Sequence, residues 1–274
     1  MLKSFLKFTK AEHTIFSIPL LFSSAYLSNQ NIWPKPIILV FLILAATGAR
    51  ILGMAMNRII DRHIDKENPR TKDREIPSGK LSLKKAYLIA GSGLVLYLYA
   101  CLSLGKLALY LSPLPIFILI SYSYLKRITW LCHFGIGVVI ALAPLGSFVA
   151  VTNTVTPPTS VILLTVFSFF WISGFDIIYG LQDIEFDQKQ GIYSIPAKFG
   201  YTKAVWIART VHLTAFSALF CLTFLTRINP LQTSLLIITG ITLILANSEI
   251  MAVEKRFFPL SAIAGVCGAI IPVL

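Results

Sequence analysis

Apolar stretches of about 20 residues, long enough to cross hydrocarbon as helices, recur from one end of this chain to the other, and no other feature restricts its fold so severely. Inside a bilayer nothing can hydrogen-bond an open backbone, so a crossing chain must form helices or a closed barrel. The runs are continuous and rich in Leu, Ile and Phe rather than alternating with a period of two, which selects helices. Hydrophobic residues fill 56% of the 274 positions and charged residues only 13%, far from the balance of a water-soluble domain. We expect an all-α membrane protein, a single domain over 1–274. Nine transmembrane helices are expected at 13–29, 34–57, 86–104, 107–125, 130–152, 158–180, 204–226, 230–248 and 258–274. The opening "MLKSFLKFTKAEH" is charged and lacks a small-residue cleavage site after a short apolar core, so it reads as a cationic amphipathic stretch on the membrane surface.

Orientation follows from the basic residues, because Lys and Arg in short loops favour the cytoplasm. Under this span assignment 20 of the 24 basic residues fall on one side: Lys3, Lys7 and Lys10, nine between 58 and 85, Lys126 and Arg127, Lys189, Lys198, Lys203 and Arg209, and Lys255 and Arg256. The opposite loops hold only Lys35, Lys106 and Arg227, and Arg50 lies within a span. The N-terminus is therefore expected in the cytoplasm. The net charge of +12 sits at membrane borders, which points to anionic membrane lipid and a phosphorylated substrate and to no nucleic acid. Cys101, Cys132, Cys221 and Cys267 are scattered without a CxxC pair, and the four histidines show no HExxH spacing, so neither disulfides nor a zinc site is expected.

Nine of the 12 acidic residues form two clusters, Asp61 to Glu75 and Asp176 to Asp187. Each begins where an even-numbered span ends, so both open on the cytoplasmic side. In "NRIIDRHID" the groups Asn57, Asp61 and Asp65 stand four apart and share one helical face, and Arg50 points nearly the same way two turns earlier, still at membrane depth. An ionisable group there is costly unless paired, which marks it as functional or as a packing ion pair. In "GFDIIYGLQDIEFD" the residues Asp176, Tyr179, Asp183 and Asp187 make a second face, while Ile177, Ile178, Leu181 and Phe186 fill the positions between. A face that merely solvated a loop end would not keep those apolar residues.

Two carboxylate faces around one cavity repel each other unless a cation sits between them. Oxygen ligands without Cys or His in register suit Mg²⁺, which keeps waters and bridges carboxylates to phosphate. Bases for the phosphate are at hand in Arg58, Arg62, Arg70, Lys72 and Arg74, and in "YSYLKR" with Tyr122, Lys126 and Arg127. The positive-inside rule alone would also place basic residues there. Acids and bases around an apolar mouth point to a metal-bridged diphosphate whose lipid tail lies among the helices.

"NRIIDRHID…RTKDREIPSG" resembles the NDxxDxxxD…RTxxRPLxSG signature of the UbiA family of intramembrane aromatic prenyltransferases, and "DIIYGLQDIEFD" resembles that family's DxxYxxxDxxxD motif. The likeness extends to "YSYLKRITW" and to the pattern of spans. Two positions depart from it: Arg58 stands where the family has Asp, and Arg74-Glu75-Ile76 stands for its Arg-Pro-Leu. The resemblance implies nine helices around a central cavity, capped by the 2–3 and 6–7 loops, in a bacterial inner membrane.

It further implies Mg²⁺ held by Asn57, Asp61 and Asp65 and by Asp183 and Asp187, around the diphosphate of a polyprenyl diphosphate. Lys126, Arg70 and Arg74, with Arg62, are assigned to diphosphate oxygens, and Tyr122 and Tyr179 to the substrate site. Asp176 orients the acceptor or takes the ring proton, and Arg50 faces either an acceptor carboxylate or the diphosphate. The acceptor is an aromatic acid. The similarity is closest to enzymes that prenylate 4-hydroxybenzoate for ubiquinone, with naphthoate-type acceptors of menaquinone synthesis as the alternative. A secondary transporter is disfavoured by the nearly chargeless opposite loops, and a phosphatidyltransferase by the splitting of the acids across two spans.

Overall fold

The structure, a computed structural model, describes residues 8–9, 17–226, 228–250 and 252–274, with the side chains of 254 and 255 excepted. Lys3, Lys7, Lys10, Arg227 and the start of the first expected span lie outside the described residues. Every described regular element is helical. In chain order these are α1 (Ser17–Ser28), α2 (Pro36–Ile60), α3 (Arg62–Glu67), α4 (Leu83–Leu104), α5 (Lys106–Leu111), α6 (Pro113–Ser121) and α7 (Cys132–Thr152). There follow α8 (Thr159–Gly180), α9 (Ile184–Gln190), α10 (Ile195–Leu225), α11 (Pro230–Ala246) and α12 (Val253–Ile270). Short 3₁₀ turns cover Tyr122–Arg127, Leu181–Asp183 and Ile271–Val273.

Each expected span coincides with a helical stretch, but the stretches are not equal. Among the described residues seven are long and apolar enough to cross a membrane, whereas Ser17–Ser28 and Pro230–Ala246 are shorter. The chain is an integral membrane protein. Two further helices, α3 and α9, sit in the loops where the acidic clusters fall. Of the amphipathic stretch expected at the start, Phe8 and Thr9 are described, and both are buried. Phe8 shares a cluster with Leu52, Ala55 and Ile59, so it packs on protein rather than on lipid.

Lipid tails are as apolar as leucine, so helices associate in them by close packing rather than by escape from water. The contact between α2 and α4 shows how. Ala86, Ala90, Gly93, Tyr97 and Ala100 recur along the buried face of α4 at helical spacing. A Cβ on Gly93 would lie 2.7 Å from the backbone nitrogen of Leu52, so any side chain there would push α2 away. On the other side of the molecule α8 packs against α7, α10 and α12, with Leu164, Phe167, Trp171 and Phe175 fully buried. The first acidic motif thus rides on the end of α2 and the second on the end of the most enclosed helix.

The fourth span is interrupted. Pro113 cannot continue the ladder from α5, and the chain then tightens to the 3₁₀ turn Tyr122–Arg127. That turn brings Ser123, Lys126 and Arg127 against the end of α2. In α10, Gly200 takes φ 76°, which divides a first turn after Ser194 from the long span beyond. This kink explains why hydropathy places the start of the seventh span near 204.

A cavity of about 290 Å³ lies among α1, α2, α4, α5, α6 and α7. Its lining is almost wholly apolar, with Arg50 and Tyr122 among its few polar groups. Along α7 it reaches from Ile136 to Val149, a rise of about 20 Å at helical pitch. Among the described residues its lining ends at Val149, so the cavity lies within the part of the bundle formed by α1 to α7 rather than at the centre of the whole bundle.

Candidate active site

The first motif keeps its helical face through a change of helix. The backbone bends at Asp61 (φ −87°, ψ 0°), where α2 gives way to α3. Yet the Asp61 N–H still donates to Asn57 O at 2.9 Å and the Asp65 N–H to Asp61 O at 2.8 Å, so the three polar groups stay stacked. Asn57 Nδ2 donates to Asp61 Oδ2 at 3.0 Å and to Ser123 Oγ at 3.1 Å. Asp61, only 2% exposed, receives Lys126 Nζ at 2.6 Å and Arg127 at 3.1 Å. Arg127 also donates to the Ile60 and Ser123 carbonyls, which locks the 3₁₀ turn onto the end of α2.

The loop after α3 folds back over this end. Arg74 pairs with Asp65 at 2.7 Å, and Thr71 Oγ1 donates to the Asp65 carbonyl. The two departures from the family signature meet here: Arg58 and Glu75, both buried, lie 3.2 Å apart. Arg62 points elsewhere. It donates to the Ile59 carbonyl, and among the described residues it pairs with none of the motif acids.

The second motif runs from the end of α8 through the 3₁₀ turn Leu181–Asp183 into α9. Ile177, Ile178 and Leu181 are buried in one cluster with Ile195 and Val205, which turns the acids to the other side. Asp176 Oδ2 accepts from His133 Nδ1 at 2.7 Å. Asp187 Oδ2 accepts from Ser194 Oγ at 2.9 Å.

Arg70 and Asn68 join the two motifs. Arg70 makes a two-pronged ion pair with Asp183, its Nε lying 3.0 Å from Oδ1, and donates to the Tyr179 hydroxyl at 2.7 Å. Its guanidinium also stands over the Tyr179 ring, 4.9 Å from the centroid. Asn68 Nδ2 adds a bond of 2.9 Å to the same carboxylate oxygen. Burial opposes the charge of Arg70, but the bond to Asp183 outweighs it, with Tyr179 and the nearby carboxylates adding, and its pKa is raised. Arg70 therefore stays a cation between the motifs.

Three bases assigned from sequence to the diphosphate, Lys126, Arg74 and Arg70, thus each sit on a motif acid. The donor set fits a hard cation: four carboxylates and an amide, with Asp65 Oδ2 buried and lacking a hydrogen-bond partner. Among the described residues no three His, Cys, Asp or Glu side chains converge as a metal cage. Such a set suits an ion that completes its shell with water and substrate oxygens, which is the habit of Mg²⁺.

The family model described as the UbiA prenyltransferase family matches residues 16–256. The chain belongs to the UbiA prenyltransferase family. A 4-hydroxybenzoate octaprenyltransferase from Nitrosomonas eutropha is 31% identical over 186 residues, covering 68% of this chain and 64% of that relative's length. A 4-hydroxybenzoate octaprenyltransferase from Aliivibrio salmonicida is 29% identical over 80% of this chain and 77% of its own. The apo structure of a UbiA homolog from Aeropyrum pernix K1 superimposes with a TM-score of 0.83 at 30% identity, covering 95% of each chain. A UbiA homolog from Archaeoglobus fulgidus, bound to GPP and Mg²⁺, shares the fold at 17% identity, with a TM-score of 0.70 over 99% of this chain and 100% of that one.

Several UbiA-site groups escape a reading of the sequence. Asn68 follows Asp65 by three positions and continues the face of Asn57, Asp61 and Asp65, a spacing that marks it in retrospect. Arg127 reads from sequence only as one of several bases for the phosphate, and its bonds to Asp61 and to the Ile60 and Ser123 carbonyls have no local pattern to announce them. His133 lies 43 residues from its partner Asp176, and no local pattern links them. Ser194 caps the start of α10, its hydroxyl accepting from the Ala197 N–H, and the same hydroxyl donates to Asp187, 7 positions earlier.

Proposed function

We propose that this protein transfers a polyprenyl group from a polyprenyl diphosphate to the ring of an aromatic acid, with 4-hydroxybenzoate as the acceptor, in ubiquinone-type biosynthesis. The observation that carries the reading is the junction of Arg70 and Asn68 with Asp183, which draws the two acidic motifs to one mouth. The curated relatives are 4-hydroxybenzoate octaprenyltransferases, and UbiA homologs bind GPP or DMAPP with Mg²⁺. The lipid tail lies in the apolar cavity that begins beside Arg50 and Tyr122. By the basic-residue bias the N-terminus and this mouth face the cytoplasm of a bacterial inner membrane.

Asn57, Asp61 and Asp65 on one side, and Asp183 and Asp187 on the other, are the groups that hold Mg²⁺. The bound metal stabilises negative charge that grows on the diphosphate as the allylic carbon–oxygen bond breaks. Lys126, Arg70 and Arg74 turn from their acid partners toward the diphosphate oxygens. The apolar walls keep water from the allylic cation. Arg50, at the head of the cavity, pairs with the carboxylate of the acceptor. Asp176 orients the acceptor or takes the proton that the ring loses when the carbon–carbon bond forms.

Membranes carrying the protein, given Mg²⁺, a labelled polyprenyl diphosphate and either 4-hydroxybenzoate or a dihydroxynaphthoate, provide the test. A lipid with the mass of prenylated 4-hydroxybenzoate supports the reading. Product from the naphthoate alone moves the acceptor to the menaquinone class, and no product from either overturns the assignment.

A further inference from the structure

His133 sits at the start of α7, its side chain 5% exposed, and both ring nitrogens are engaged. Nε2 is 3.3 Å from the backbone nitrogen of Ile195, whose N–H points at it. A nitrogen that accepts this bond cannot carry a proton itself. The proton of a neutral ring is therefore on Nδ1, which lies 2.7 Å from Asp176 Oδ2. The ring packs against the backbone of Gly180, one turn beyond Asp176, where an added Cβ would fall 3.0 Å from its Cε1.

We infer that His133 is a positioning residue, a neutral imidazole whose Nδ1–H fixes one oxygen of Asp176 so that the other is presented to the acceptor ring. The inference rests on the acceptor role given to Asp176 above. Asp176 keeps 34% of its side chain exposed although its partner is buried, so its second oxygen remains available. Asp176 stands one turn before Tyr179, whose hydroxyl receives Arg70, so this carboxylate lies on the helix face that carries the second motif. The anchor of His133 also has a second duty. Ile195 holds the imidazole, while the preceding residue, Ser194, donates to Asp187 at 2.9 Å. One helix start thus anchors groups on both acids, His133 for Asp176 and Ser194 for Asp187.

Two amides separate this role from simple packing. Asparagine places its NH₂ near the position of Nδ1 and can donate to Asp176, whereas glutamine reaches the position of Nε2 and serves Ile195 only. We expect His133→Ala and His133→Gln to raise the KM for the aromatic acceptor by about tenfold or more, the scale for losing a hydrogen bond to a charged group, with the KM for the prenyl donor little changed. His133→Asn should recover most of that loss. Equal losses in the Asn and Gln variants, or a loss that falls on the donor, would overturn the inference.

A measurement independent of turnover accompanies it. In protein labelled with ¹³C and ¹⁵N at histidine and held in detergent, the ring resonances absent from His133→Asn report the His133 tautomer. A neutral ring protonated at Nδ1 is expected, and an imidazolium or an Nε2-protonated ring overturns the inference. If the wild-type protein transfers no prenyl group, the proposed reaction fails, while this spectrum still decides the state of His133.

Discussion

The guanidinium of Arg58 lies 3.2 Å from the carboxylate of Glu75, and the side chains are only 5% and 7% exposed. Each residue breaks the family signature alone, and together they replace an acid and a proline by a buried ion pair. The pair ties the loop after α3 to the end of α2, one residue from the Arg74 that reaches Asp65. Removing one partner leaves the other charge buried, at a cost of about 3–5 kcal/mol, whereas an apolar pair of similar volume is often neutral. We therefore expect Glu75→Leu to lower the thermal unfolding midpoint in detergent, and Arg58→Met combined with Glu75→Leu to recover most of the loss. A double variant no better than the single one would mean that the charges themselves hold the loop.

Arg70 is the direct link between the motifs, and its two-pronged seat on Asp183 uses the planar fork that lysine lacks. Arg70→Lys should weaken binding of a prenyl thiodiphosphate with Mg²⁺ nearly as much as Arg70→Ala, each by about tenfold or more. Calorimetric titration in detergent measures it. Full affinity in the lysine variant would show that charge alone suffices.

How much of this was legible beforehand depended on whether the signal was local. The stacking of Asn57, Asp61 and Asp65 follows from a four-residue spacing, and it survives the bend at Asp61 because the backbone bonds there continue. The depth of Arg50 follows from counting along one helix, and Arg50 does line the cavity. Arg62 reads from sequence as a site cation because it is a loop arginine beside three acids, and its bond to the Ile59 carbonyl at the end of α2 leaves no trace in that pattern. The pairing of Arg58 with Glu75 spans a folded loop, and that of His133 with Asp176 spans two helices, so neither has a periodic trace in the sequence. The location of the cavity depended on the close approach of α2 and α4 at Gly93 and on the break at Pro113, which hydropathy does not report.

Arg50 lies among apolar cavity walls about 15 Å along the helix from the end of α2. If it pairs with the acceptor carboxylate, Arg50→Ala should raise the KM for 4-hydroxybenzoate at least about tenfold and leave that of the donor nearly unchanged, since losing a charged partner costs that much. Equal losses for both substrates would move Arg50 to the diphosphate.

The donor set lacks a three-ligand cage among the described residues, which has a thermodynamic consequence. Mg²⁺ alone should stabilise the protein little, and Mg²⁺ with a prenyl thiodiphosphate much more, by about 2.7 kcal/mol at a hundred times Kd. Thermal denaturation in EDTA, in Mg²⁺ and in Mg²⁺ with the thiodiphosphate separates the cases. A full shift with Mg²⁺ alone would point to a preformed metal site.

The central claim is that Asp61 and Asp183, carried by the ends of α2 and α8, serve one diphosphate. Asp61→Asn and Asp183→Asn should each lower turnover by at least about a hundredfold, as expected for a main charge-stabilising group. The most direct measurement is the affinity for a prenyl thiodiphosphate with Mg²⁺ in the wild type, both single variants and the double variant. We predict that each single change weakens binding and that the double loss falls short of the product of the two, the mark of groups acting on a shared ligand. Independent, fully multiplicative losses, or normal binding in either single variant, would contradict it.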